Sequence, residues 1–198
     1  MLPSFRGAVK RPKPIVVHLG NVGLDYHGEI PARRTLKFAS RFKNFNFFGI
    51  DLRPWMAERR NWTQVQMDLL NGLDKLKNNS VSLISSEMTL GYYGPRKLPS
   101  NLVASEAVSM GYAFEVMKKA LQKLKPRGKL IVVIDSQREK ALVQEGISAG
   151  FEISSIHRTR MRKSIPSASY WTNSYSAPNM SPEETTMVKL VFQKSSLT

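Results

Sequence analysis

The sequence has no cysteine among its 198 residues. That excludes disulfides and thiolate metal sites, and it suits a reducing compartment, cytoplasmic or otherwise intracellular. It also lacks any apolar run near the roughly 18–20 residues needed to span a bilayer, so no membrane partner is expected. The opening stretch MLPSFRGAVKRPKP has basic residues but no apolar h-region, which argues against a secretory signal. No acid occurs before Asp25, which leaves an organelle-targeting reading open. Acids are scarce throughout: 15 Asp and Glu face 30 Lys and Arg, a net charge of +15. The imbalance is steepest in residues 1–50, with nine basic residues against two acidic ones. A field of that sign draws polyanions with a strong salt dependence, so RNA or a ribonucleoprotein is the expected partner. The oligomeric state is not legible.

What is present is the 41% hydrophobic content of an ordinary globular protein, enough to bury one core. Residues 1–13 read as a basic extension and 14–198 as a single domain. Within it, strand and helix patterns alternate. PIVVHLG (14–20), FNFFGID (45–51), WTQVQMD (62–68), SVSLISSEM (80–88) and KLIVVID (129–135) read as the first five strands. EIPARRTLKFASRF (29–42) has helical spacing. SEAVSMGYAFEVMKKALQKLK (105–125) is the clearest helix, with Phe114, Met117, Leu121 and Leu124 as its apolar stripe. REKALVQEGISAG (138–150) is a helix that stops on a left-handed glycine, Gly150. FEISSIHRTRMR (151–162) and TMVKLVFQK (186–194) follow with no helix between them, so they form an antiparallel pair. The expected fold is α/β: a doubly wound, mainly parallel seven-stranded sheet closed by a C-terminal antiparallel hairpin.

In such a sheet ligands lie beyond the carboxyl ends of the strands. Gly20, Asp51, Asp68 and Ser85–Ser86 all fall there. A glycine after the first strand lets backbone approach a ligand closely. An acid closing the second strand can accept both hydroxyls of a ribose, and an acid after the third can accept from an exocyclic amine. Asp is also a common cap and turn residue, so one such acid alone would say little.

These stretches resemble, from about Pro14 to Lys194, the class I S-adenosylmethionine-dependent methyltransferases. VVHLGNVG is similar to the family's first motif, FFGIDLRPW to its second and VQMDLL to its third. VSLISSEMTLGYY resembles its fourth strand and the loop beyond, ALQKLKPRGKLIVVI its helix, turn and fifth strand, and EGISAGFEISSI its late Ala-Gly-Phe turn. The resemblance implies a Rossmann-like fold and S-adenosylmethionine as cofactor. Gly20, Asn21 and Gly23 would shape the turn under the cofactor's methionine part. Asp51 would hold the ribose hydroxyls, Leu52 would pack on the adenine face, and Asp68 with Leu69 would hold the adenine. Ser85 stands at the neighbouring strand end. The chain departs from the family pattern at three places. His18 stands where an acid is usual, Val22 where a second glycine is usual, and Arg127 where the turn before the fifth strand has its first glycine. His18 is either a cation paired with the cofactor's carboxylate or a neutral, hydrogen-bonded strand-end residue.

For an acceptor, Tyr92 and Tyr93 lie between glycines in the loop after the fourth strand and could stack on a planar ring. The family's Asn/Asp-Pro-Pro-aromatic motif for amino methylation of bases is absent. The cysteine route to pyrimidine C5 is closed. The Lys-Asp-Lys-Glu set of ribose 2′-O-methylases does not map onto the strand ends. No catalytic residue is readable, and positioning alone can suffice for methyl transfer. His27, next to Tyr26 on the loop after the first strand, either lies near an acceptor or is only a polar loop side chain. Arg158, Arg160 and Arg162 alternate along the sixth strand, followed by a Ser/Pro/Asn-rich stretch carrying Trp171. Basic residues beside aromatics suit single-stranded nucleic acid, the favoured reading, against a charge-guarded edge strand with a floppy insert. The leading expectation is a methyltransferase acting on RNA or a ribonucleoprotein. Two alternatives stay open: a non-catalytic RNA-binding or assembly factor on a degenerate methyltransferase fold, and a methyltransferase for a small molecule or protein.

Overall fold

The computed structural model describes residues 12–20, 41–52, 61–87, 89–91, 106–162 and 184–196. The expected helix at 29–42 lies outside these residues except at its end, as do His27, Asn21, Gly23, Tyr92, Tyr93 and Trp171. In chain order the elements are β1 (Ile15–Leu19), β2 (Asn46–Asp51), β3 (Trp62–Gln66), α1 (Leu69–Asp74), β4 (Val81–Glu87), α2 (Glu106–Lys123), β5 (Leu124–Asp135), a 3-10 turn (Ser136–Arg138), α3 (Glu139–Ser148), β6 (Glu152–Arg162) and β7 (Glu184–Gln193).

The strands form one seven-stranded sheet in the order β3-β2-β1-β4-β5-β7-β6. β3, β2, β1, β4 and β5 pair in parallel, while β7 runs antiparallel to both β5 and β6. This is the expected architecture, hairpin included. The order reverses at β1: the chain moves outward to β2 and β3, then crosses to β4 on the other side, which opens a crevice over the strand ends.

Alternation along the strands sorts the side chains. Val17, Leu19, Ile50, Ile84, Leu130, Val132, Ile134, Val188, Leu190 and Phe192 join the main apolar core, together with Leu73 from α1, Met117 from α2 and Leu142 from α3. His18 pairs laterally with Gly49 and Ser85 and so projects on the opposite face. On that face Phe47 stacks on Trp62 across β2 and β3, with ring centroids 6.2 Å apart.

Three details differ from the sequence reading. The helix α1 was not expected: it is six residues long and carries Gly72 at its centre. A Cβ there would lie 2.3 Å from Ile50 Cγ2, so the glycine that weakens the helical signal lets α1 sit against β2. In α2 the most deeply buried line runs through Ala113, Val116, Met117 and Ala120, while Phe114 and Leu121 are only partly covered. Met117 lies on the expected stripe, and the rest of the buried line runs one position earlier than expected, through Ala113, Val116 and Ala120. Leu124 belongs to β5, not to the helix.

The turn at Arg127 has a backbone that favours glycine. Arg127 has φ 61, a left-handed conformation. Its N–H donates to Lys194 O at 3.2 Å, and Lys194 N–H donates to Gly128 O at 2.9 Å. Lys194 is buried and its ammonium donates to Asn79 Oδ1, to Leu121 O in the last turn of α2 and to Leu124 O at the start of β5. At the end of α3, Gly150 has φ 98; its N–H reaches Ile147 O and that of Phe151 reaches Gly146 O, the expected glycine stop. Among the described residues no helix is long and apolar enough to cross a membrane.

Candidate functional site

Gly20 after β1, Leu52 after β2, and the described residues that follow β3 and β4 lie at the carboxyl ends of those four strands. β1 leaves the sheet through Gly20, at φ 70, whose N–H donates to Ile50 O at 2.8 Å. A Cβ on Gly20 would fall 2.3 Å from Thr89 Oγ1, so the turn after β1 is pressed against the turn after β4. Thr89 is itself fixed, donating from Oγ1 to Glu87 O at 3.1 Å. Both backbone conformation and space therefore demand glycine at position 20.

Asp51 closes β2 and is only 5% exposed. Its backbone carbonyl accepts from Met67 N–H at 2.9 Å, and Gln66 Nε2 donates to Leu52 O at 3.2 Å. These two bonds stitch the turn after β2 to the turn after β3. Leu52 is 43% exposed directly beside the buried acid, an apolar surface next to a carboxylate. Asp68 follows at the start of α1. Its Oδ1 accepts from Leu70 N–H at 2.9 Å as an N-cap, and its Oδ2 accepts from the Tyr112 hydroxyl at 2.6 Å. Burial, reinforced by the Asp68 carboxylate, pushes the Tyr112 phenol well above its ordinary value, so it stays a donor. Leu69 is buried in the core and offers only its backbone to a ligand.

His18 is buried one row below the turn, with Nδ1 2.8 Å from Ser85 Oγ. Ser85 Oγ also lies 3.4 Å from Val17 O. Burial drives the imidazole down from 6.5 to about 4, and the opposing pull of Asp51 does not restore it. His18 is therefore neutral at pH 7, which favours the hydrogen-bonded strand-end reading over the cationic one. Its Nε2 finds no partner among the described residues, and neither does Ser86 Oγ on the next position of β4. Buried polar atoms left this way are places where a ligand or water completes the bonding.

Gly20, Asp51, Leu52, Asp68, Leu69, His18 and Ser85 thus lie together at the neighbouring carboxyl ends of β1 to β4. The arginines of β6 do not join them. β6 is the far edge of the sheet, five strands from β2, or roughly 24 Å at about 4.8 Å per strand. Arg158 is held by Glu139 at the start of α3 through two hydrogen bonds, Nε to Oε2 at 2.8 Å and NH2 to Oε1. Arg160 is exposed and shares its register face with Arg158; the backbone of Arg162 continues that face.

Three contributors were not foreseen. Thr89 backs the glycine turn, and Tyr112 reaches Asp68 from a helix 44 positions later. Arg138 donates from Nε to Gly91 O at 2.9 Å and pairs with the buried Asp135 at 3.1 Å. Asp135 ends β5 as Asp51 ends β2, so the strand-end rule could have found it. Nothing in the helical pattern marks Tyr112.

No family profile matches the sequence, and no curated protein sequence does. The fold, however, matches solved structures over nearly the whole chain. It superposes on the [4+2]-cyclase SpnF with a TM-score of 0.60 at 13% identity, covering 92% of this chain and 74% of that one. The 16S rRNA (adenine(1408)-N(1))-methyltransferase from Catenulisporales acidiphilia, solved with its cosubstrate S-adenosylmethionine, gives 0.57 at 14% identity, covering 92% and 86%. The N-methyltransferase NodS from Bradyrhizobium japonicum, in complex with S-adenosylhomocysteine, gives 0.53 at 11%, covering 91% and 78%.

Proposed function

The chain has the class I methyltransferase fold, and from that premise we propose that it is an S-adenosylmethionine-dependent methyltransferase acting on RNA or a ribonucleoprotein. The observation that carries the cofactor reading is the buried Asp51 carboxylate at the end of β2, one residue before the exposed Leu52 and beside a turn whose glycine has no room for a side chain. Asp51 would accept the ribose hydroxyls, Leu52 would cover one face of the adenine, and Asp68 would accept its amine. The turn at Gly20 would pass under the amino-acid end, with the unpartnered His18 Nε2 available to it. The cofactor supplies an electrophilic methyl group on a sulfonium; the chain's part is to hold it and to exclude water around it. The excess of 30 basic over 15 acidic residues supports the RNA reading, since small-molecule acceptors do not call for such a field.

Calorimetric titration of S-adenosylmethionine and S-adenosylhomocysteine into the purified protein tests the reading. The wild type should bind with micromolar affinity. Asp51→Ala, checked for folding by circular dichroism, should lose about 10- to 100-fold through its missing charge-assisted bonds. A folded wild type that binds neither ligand would sink the enzyme reading and leave a basic scaffold.

A further inference from the structure

An ionised carboxylate has about four lone-pair sites on two oxygens. In Asp68 one site on each oxygen is taken: Oδ1 by Leu70 N–H at 2.9 Å and Oδ2 by the Tyr112 hydroxyl at 2.6 Å. Two bonds to two different oxygens fix the plane of the carboxylate, which a single cap bond would leave free to turn. The cap alone would serve α1, so the second bond is not needed to start the helix. Tyr112 itself is buried, and among the described residues its hydroxyl donates to Asp68. The backbone of the same segment is tied to Asp51 through Met67 N–H, which holds the oriented carboxylate next to the turn after β2.

We propose that Tyr112 is a positioning residue for nucleobase recognition: by fixing the plane of Asp68 it aims the remaining lone pairs at an exocyclic amine and makes the site select adenine over hypoxanthine. This rests on the cofactor reading above. A fixed acceptor discriminates because hypoxanthine presents a carbonyl oxygen where adenine presents an amine, and a carboxylate that cannot turn away repels it. A carboxylate free to rotate loses part of that discrimination. The phenol serves because burial keeps it protonated, so it donates across the whole working pH range.

The test compares S-adenosylhomocysteine with S-inosylhomocysteine by calorimetry on the wild type, Tyr112→Phe and Tyr112→Met. Phe keeps the ring without its hydroxyl, and Met supplies a flexible apolar side chain that also lacks one. The wild type should prefer the adenosyl ligand by about 30-fold or more, and both variants should narrow that ratio to about 5-fold, chiefly by weaker adenosyl binding. Equal weakening of both ligands would mean Tyr112 is only a packing residue and would overturn the proposal. Tighter adenosyl binding by the variants would overturn it as well, since the phenol would then compete with the base. If the folded wild type binds neither ligand, the methyltransferase reading falls and this one with it.

Discussion

At the carboxyl ends of β1 to β4, buried polar groups lie close together and some lack full partners; on β6 of the hairpin, Arg158 is exposed and paired at the surface. Asp51 and His18 lie within the protein, and His18 Nε2 and Ser86 Oγ have no partner among the described residues. Arg158, with its side chain 57% exposed, is closed off by Glu139 instead. Burying polar groups without full partners costs stability, and a fold accepts that cost where a ligand completes the set. Exposed pairs carry no such implication, because water satisfies them as well. The difference fits the proposed placement of the cofactor in the parallel half, with the hairpin left as a surface.

Two glycines give the strongest way to break that division. Gly20→Ala would place a Cβ 2.3 Å from Thr89 Oγ1 at φ 70, while Gly146→Ala in α3 would place one 2.2 Å from Phe192 Cε1. Each should destabilise the protein by about 2–4 kcal/mol through overpacking, with backbone strain added at position 20. Only Gly20→Ala should abolish S-adenosylhomocysteine binding, because only that turn lies at the crevice. Thermal unfolding and calorimetry on the two variants read both quantities. Loss of binding in the folded Gly146→Ala protein would erase the proposed separation of the halves.

Acid should act on the parallel half next. The folded-state value of His18, about 4, lies below its ordinary 6.5 because burial disfavours the imidazolium. The unfolded chain therefore binds the proton more readily between those two values. The stability contributed by neutral His18 is fully present above about pH 6.5 and is lost as pH falls toward 4, roughly 3 kcal/mol in all. Denaturant unfolding of the wild type and His18→Gln between pH 7 and pH 4 isolates it: the variant should show the shallower pH dependence. Parallel curves would mean that the imidazole is not buried in its neutral form.

The sheet was legible because each of its strands carries a period the physics enforces: apolar runs where both faces are covered, alternation where one is not. The C-terminal hairpin was legible from an absence, since no helix pattern separates 162 from 186. The helix α1 escaped because Gly72 reads as a breaker, yet Ile50 leaves no space for anything larger. The crevice was legible in part for a similar reason. Gly20, Asp51 and Asp68 are strand-end residues, and topology brings strand ends together whatever the intervening sequence. Thr89, Tyr112 and Arg138 act through contacts across long sequence separations, which leave no local pattern. The charge state of His18 was open for the same cause: it depends on burial by residues distant in the chain.

The smallest expected effect concerns the hairpin. The arginines of β6 read as a nucleic-acid strip, but Arg158 spends its guanidinium on Glu139. Glu139→Gln would remove the carboxylate while keeping a polar side chain of similar size, and so release Arg158 to solvent. If RNA runs along this edge, affinity for a single-stranded RNA oligonucleotide should rise about two- to fivefold at low salt, and the slope of log affinity against log salt should steepen by about one phosphate's worth. Fluorescence anisotropy over a salt series measures both. An unchanged slope would take the hairpin out of the RNA path and place the polyanion contacts elsewhere on the basic surface, while leaving the proposed cofactor site untouched, because four strands lie between β6, which carries Arg158, and β2, which carries Asp51.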